Sequence, residues 1–177
     1  MNMQPDIPPH LEREFGEYPT RVLKYALYYA EQEWPVVPLY TVNNKTGVCT
    51  YHQGATCNSR AKHPLPPNGV KAATTKRAVI EQWWHSHPQA NIGIATGFGL
   101  SVIDIDPRHG GSLEQLLKRF AIPDTAMVRT GSGGWHLYFS YMGDLKNSAG
   151  KLGEGIDTRG MNGYVVAPPS LHASGNY

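Results

Sequence analysis

The chain has 177 residues, 40% of them hydrophobic and 17% charged, which allows one domain with a sizeable core. Sixteen Lys and Arg stand against fourteen Asp and Glu, with eight His; this balance neither demands a nucleic-acid partner nor excludes one, since a local basic patch suffices. No run approaches the roughly 18 apolar residues of a membrane span and no signal peptide opens the chain, so no membrane partner is expected and a cytoplasmic location is.

Residues 1–18 carry Pro5, Pro8 and Pro9 without a periodic pattern and read as a flexible lead-in to a single domain over 19–177. Pro19-Thr20 is an N-terminal signal for a helix running to about residue 32, with Val22, Leu23, Ala26, Leu27 and Ala30 on one apolar stripe. Val36-Val37-Pro38-Leu39 reads as a short strand, where Pro38 suits an edge.

From 41 to 68 the chain turns polar and rich in Gly and Pro, with neither helix nor strand period. A structureless loop of that length needs something to pin it. Within it lies Cys49-x2-His52-x4-Cys57-x5-His63, four residues of zinc-ligand type that make 41–68 a candidate zinc-binding insertion. The spacing is not that of a familiar finger, and two free cysteines with two surface histidines would produce the same pattern. Two cysteines do not make a disulfide framework.

A helix is expected over 76–85, with Val79, Ile80 and Trp83 on one side; Trp83 and Trp84 read as core. Strands follow over 91–96 and 100–106, and the Gly97-Phe98-Gly99 turn between them is a hairpin signal. Ser112 caps a helix over 113–120. Further strands are expected over 126–130, 135–139, 156–159 and 164–167, with 146–155 a polar loop. Helices interspersed with hairpin-linked strands predict an α+β fold with a mixed or mostly antiparallel sheet rather than a doubly wound one.

The chemistry centres on Ser101-Val102-Ile103-Asp104-Ile105-Asp106. Val102, Ile103 and Ile105 favour a buried strand, and Asp104 and Asp106, two apart, then share a face. Side-by-side carboxylates repel unless a cation stands between them or one is protonated. An aspartate pair that caps a turn in water is the alternative. Asp157 opens another apolar strand and supplies a third carboxylate; oxygen ligands of this kind suit Mg2+ or Mn2+. Arg159 shares the face of Asp157 and is either a substrate contact or a structural ion pair. Thr130-Gly131-Ser132-Gly133-Gly134-Trp135-His136 reads as a phosphate-binding turn, in which glycine N–H groups, the Ser132 hydroxyl and His136 approach an anion. Gly-rich hairpins are also common without such a role. Lys71, Arg108 and Arg129 are candidate triphosphate or template contacts, or simply solvated charges.

Taken together, Asp104-x-Asp106, Ser132-Gly-Gly-x-His136 and Ile156-Asp157 resemble the three motifs of the archaeo-eukaryotic primase superfamily. More narrowly, the chain resembles the bifunctional primase-polymerase (prim-pol) N-terminal domain of plasmid, phage and prophage replication proteins. Lys62-His63-Pro64, the stretches 69–75 and 90–97, Trp83-Trp84 and Val165-Val166-Ala167-Pro168-Pro169-Ser170 also fit, so the resemblance runs from Thr20 to Tyr177. It implies template-directed nucleotide polymerisation on single-stranded DNA, with primer synthesis in many members, and an RRM-like sheet beside a smaller N-terminal α/β part. By the family pattern Asp104, Asp106 and Asp157 hold the catalytic metals, and Ser132 and His136 contact the triphosphate; Gly133, in the same turn, is a further nucleotide-binding candidate. Where the family has a further cysteine in its Cys-rich insert, this chain has His52. Members often continue into a helical segment and a replicative helicase, so initiation is expected to depend either on this chain alone or on regions beyond Tyr177. Two other classes compete. A two-metal nuclease would use the same acids but needs no triphosphate turn, and a non-catalytic single-stranded DNA or origin-binding module would stack bases on Trp34, Trp83, Trp84 or Trp135.

Overall fold

The computed structural model describes residues 20–43, 45–140 and 143–176; the lead-in expected over 1–18 lies outside them. Helix α1 (Arg21–Glu31) starts where the Thr20 hydroxyl accepts from the Leu23 N–H at 3.4 Å. It buries Leu23, Ala26 and Leu27, together with Tyr25 and Tyr29, while Val22 and Ala30 are only half-buried. Strand β1 (Val36–Leu39) follows, and helix α2 (Arg77–Ser86) buries Ile80 and Trp84 against α1. The Trp84 indole N–H donates to the Ala90 carbonyl at 3.0 Å, so this large ring is buried with its polar atom satisfied. Trp83 is half-buried against the same cluster.

Two antiparallel sheets carry the rest. Strands β2 (Asn91–Ala95) and β8 (Tyr164–Ala167) form a three-stranded sheet with β1, in the order β1-β2-β8. Pro38 sits on its edge strand, the position that tolerates a missing N–H. The larger sheet has the order β4-β5-β3-β7-β6. Its members are β3 (Leu100–Ile105), β4 (Ala126–Arg129), β5 (Trp135–Ser140), β6 (Ser148–Gly153) and β7 (Ile156–Arg159). Helix α3 (Leu113–Arg119) covers one face, and a two-stranded ribbon, β9 (Leu171–His172) with β10 (Gly175–Asn176), closes the described chain. The fold is therefore α+β and its strand pairs are antiparallel, as expected.

Two local expectations are corrected. Gly97-Phe98-Gly99 does not close a hairpin: β2 pairs with β1 and β8, whereas β3 pairs with β5 and β7. The turn carries the chain from the small sheet to the large one, and 160–163 carries it back. The two crossings pack together, with the Thr96 hydroxyl donating to the Gly160 carbonyl at 2.7 Å. A Cβ on Gly97 would stand 2.5 Å from the Met161 Cα, so only glycine fits that approach. The second correction is β6, which occupies most of the expected polar loop as an edge strand with a register shift against β7. Ser148 and Thr158 share a hydroxyl hydrogen bond of 2.7 Å there, where apolar alternation would usually mark a strand.

Alternation along β3 divides the cores. Ile103 and Ile105 face α3 and pack with Leu116, Leu137 and Ile156. Leu100 and Val102 face the other way, into the core built with α1, α2 and the small sheet. Each such buried side chain contributes about 1.5–3 kcal/mol of transfer free energy, which fixes the register. Asp104 lies on the Val102 face, where that core ends and a cleft begins.

Candidate functional site

Register, rather than sequence proximity, assembles the centre. Asp104 on the central strand β3 faces His136 across β5 and Asp157 across β7. The His136 Nε2 stands 3.5 Å from one Asp104 oxygen. Arg159 donates from Nη2 to Asp104 at 2.9 Å and to Asp157 at 3.0 Å, so one guanidinium bridges the two carboxylates across the strands. Burial pushes the Asp104 carboxyl up, but His136 and then Arg159 outweigh it and hold the group well below the usual carboxylate range.

Asp106, beyond the strand end, has a different environment. It caps the short 3-10 turn Pro107–His109 by accepting from the Arg108 N–H at 3.0 Å, and it takes a two-pronged ion pair from the Arg108 side chain at 3.0 and 2.7 Å. His109 Nδ1 is 3.2 Å away. Arg108 thus lowers the Asp106 pKa against the opposing effect of burial. Asp106 thus caps a turn, as the alternative reading of the pair has it, while Asp104 is set in the row across the sheet.

The three aspartates, Arg108 and Arg159 line a cleft of about 1340 Å3 together with residues 57–60, Lys62 and His172, whereas the buried His136 does not. The size of the cleft suits a nucleotide-scale ligand. Lys62, Arg60 and His172 are site residues that sequence reasoning passes over. Lys62 lies 42 positions before Asp104 (104 less 62) and within no strand pattern, and only its place in the Lys62-His63-Pro64 stretch marks it. Burial lowers the pKa of the half-buried Lys62 ammonium, with Asp104 and Asp106 acting to raise it and Arg108 and Arg159 to lower it. His172 is likewise lowered, first by burial and then by Lys62 and Arg108.

The glycine turn stands at the same sheet end, since Trp135 pairs with Ile105. A Cβ on Gly134 would come 2.0 Å from the Ile105 carbonyl oxygen, and one on Gly131 would come 2.4 Å from the His172 Cβ. The N–H groups of Gly133 and Gly134 already donate to the Thr130 carbonyl (2.9 Å) and hydroxyl (3.0 Å). What the turn offers an anion is thus the Ser132 hydroxyl, 3.1 Å from the Thr130 hydroxyl, rather than those two glycine amides. Two other basic candidates lie apart from the acids. Arg129 sits over the Trp135 ring at 5.0 Å, and Lys71 lines a separate cleft of about 340 Å3 with Val70 and Phe98.

In the insertion, Cys57 Sγ is 3.2 Å from His63 Nε2 and Cys49 Sγ accepts from the Ala61 N–H at 3.3 Å. Both thiols are buried; burial raises the Cys57 pKa, and a hydrogen bond with Cys49 adds to the rise. His52 is exposed and packs on Tyr51, with ring centroids 3.9 Å apart, so three of the four expected ligands gather and the fourth does not.

Among the described residues no cluster of three or more His, Cys, Asp or Glu has metal-holding geometry; in the acid row Arg159 and Arg108 satisfy the carboxylates instead. The donor chemistry nonetheless fits hard divalent cations, since three carboxylates converge on one polar cleft. Two thiols and an imidazole fit zinc. No helix of the described residues is long and apolar enough to cross a membrane. No curated protein matches the chain. A family model does: the one described as bifunctional DNA primase/polymerase, N-terminal (Prim-Pol), matches residues 26–177, and the chain belongs to that family of DNA primases and polymerases.

Proposed function

We propose that this chain is a template-directed nucleotidyltransferase of DNA replication that makes or extends primers on single-stranded DNA. The observation that carries the reading is the row His136–Asp104–Asp157 across three adjacent strands, whose two carboxylates line the cleft. Asp104, Asp106 and Asp157 would hold Mg2+ or Mn2+, which when bound stabilises charge on attacking and leaving oxygens in a phosphoryl displacement. The protein's own groups orient the reactants. Asp104 orients the His136 imidazole, which would donate a ring N–H to a phosphate oxygen once a nucleotide enters. The Ser132 hydroxyl, held by Thr130, reaches the same triphosphate from the turn. Arg159 leaves its place between the carboxylates and turns its guanidinium to the substrate phosphates, which it matches with a planar pair of donors. Cys49, Cys57 and His63 would hold Zn2+, a structural ion that pins the wall of the cleft.

The test is nucleotide incorporation on a single-stranded template, with and without a primer, in Mg2+ or Mn2+, against an Asp104→Ala/Asp106→Ala control. Primer-independent product that vanishes in the control supports a primase. Extension from a supplied primer only leaves a polymerase whose initiation needs more than this chain. DNA binding without any incorporation refutes the catalytic reading.

A further inference from the structure

Four basic side chains line the acid cleft: Arg60, Lys62, Arg108 and Arg159. Three are already engaged. Arg159 bridges Asp104 and Asp157, Arg108 grips Asp106, and Arg60 donates to the carbonyls of Ala55 (3.0 Å) and Cys57 (3.4 Å). Lys62 differs. Among the described residues its ammonium has neither an ion pair nor a hydrogen bond, although it is half-buried and senses the fields of Asp104 and Asp106. A cation withdrawn from water without a partner is a net cost to the fold.

Its mount is nevertheless rigid. The Tyr164 hydroxyl donates to the Lys62 carbonyl at 2.8 Å, and the Lys62 N–H reaches the Ser59 carbonyl at 3.3 Å. On either side Asn91 Nδ2 donates to the Ala61 carbonyl at 3.1 Å and the Tyr40 N–H to the His63 carbonyl at 2.8 Å. The contact between Cys57 and His63 closes the loop that carries Arg60 and Lys62. An unpaired cation on a fixed mount, facing a cleft, is arranged for an anionic ligand.

We propose that Lys62 binds the triphosphate of the incoming nucleotide, presented to the cleft by the loop clasped between Cys57 and His63. The proposal rests on the nucleotidyltransferase reading above. A compact ammonium suits phosphate as a point charge. Its recessed position beside Asp104 and Asp106 favours the reacting phosphates over a DNA backbone, which is gripped by exposed cations along a groove.

The experiment is calorimetric titration of the full chain with α,β-imido dATP and α,β-imido ATP in Mn2+, comparing Lys62→Gln and Lys62→Arg with the parent. Anisotropy of a labelled single-stranded oligonucleotide runs alongside. Lys62→Gln is expected to weaken triphosphate binding about 10- to 100-fold, with Lys62→Arg recovering most of it. Nucleoside monophosphate and oligonucleotide affinities should change far less. Equal triphosphate affinity in Lys62→Gln and parent overturns the proposal while leaving the reading intact, and so does a loss confined to the oligonucleotide, which would place the template there. A parent protein that binds no triphosphate overturns the reading, and the proposal with it. Acetylation footprinting of the parent needs no variant: triphosphate should shield Lys62 several-fold better than monophosphate, and equal labelling overturns the proposal.

Discussion

Replacing Arg159 with methionine keeps the aliphatic stem and removes the guanidinium that bridges Asp104 and Asp157 at 2.9 and 3.0 Å. Two hydrogen bonds to charged acceptors would contribute about 3–6 kcal/mol if fully buried. Arg159 is 35% exposed, and the two aspartates are 21% and 27% exposed, so solvent screening reduces the net loss to about 2 kcal/mol. For a chain of this size that lowers the melting temperature by roughly 4–8 °C in the absence of divalent ions. The same charge removal should act oppositely on metal. On the proposed reading a divalent cation has to displace the guanidinium in the parent, whereas in Arg159→Met the two carboxylates keep only His136 and the Gly150 N–H as partners. Mn2+ affinity measured without nucleotide, by the loss of the free-ion electron paramagnetic resonance signal, should therefore rise by up to about 30-fold, the equivalent of that 2 kcal/mol. Nucleotide incorporation should fall despite tighter metal binding, because the substrate loses its cation. Unchanged or weaker Mn2+ binding in Arg159→Met would refute the idea that guanidinium and metal compete for the acid row.

Other consequences are open to direct measurement. Asp104 and Asp106 have carboxyl pKa values held below the unfolded value of about 4, so their stabilisation is complete above that pH and is lost as pH falls towards the folded values; the urea midpoint should drop between about pH 5 and pH 2, less steeply in Asp104→Asn. The His172 imidazole, lowered by burial and by Lys62 and Arg108, should titrate below its ordinary value by NMR and shift upward in Lys62→Gln. Gly134→Ala places a Cβ 2.0 Å from the Ile105 carbonyl and should cost at least about 2 kcal/mol in chemical denaturation. Gly133→Ala, with φ +85° and open space around it, should cost only about 1 kcal/mol. Cys57→Ser should lower protein-bound zinc measured by mass spectrometry and weaken triphosphate binding, since Cys57 clasps the loop that bears Lys62.

The strands were legible where β-branched and apolar residues ran between turn signals, as in 36–39 and 164–167, because burial on both faces needs that composition, and in 156–159 through alternation, with Ile156 and Thr158 buried and Asp157 and Arg159 half-buried. Strand β6 was not, because Ser148-Ala149-Gly150-Lys151-Leu152-Gly153 is paired on one side only and contributes little to the core. Gly97-Phe98-Gly99 misled for a different reason. A glycine turn between two apolar runs looks alike locally whether the second strand pairs with the first or leaves for another sheet, and the partner β8 lies some 70 residues downstream (164 less 95 is 69).

The same distinction decides what could be read of the site. Period two along β3 places Asp104 and Asp106 on one face, and a motif search finds His136 and Asp157, but neither says which acid is central. Pairing does: β3 lies between β5 and β7, so Asp104 has both neighbours, while the Asp106 side chain, one step past the ladder, is held within its own turn. That step also explains the unequal surroundings of the pair. Asp104 is held by groups from other strands, His136 and Arg159, whereas Asp106 is held by Arg108 two residues away. Local charges can be inferred from a sequence, so the Asp106–Arg108 contact was within reach. The Lys62 wall was not, because it arrives from a segment without periodicity, fixed by isolated contacts such as Tyr164 to Lys62 and Asn91 to Ala61. Contacts of that kind join residues 30 to 102 positions apart and leave no pattern in either partner's neighbourhood. A cleft with one wall on a sheet and the other on an irregular loop is therefore half visible before folding: the sheet announces its acids, and the loop reveals its cation only once the chain has closed around it.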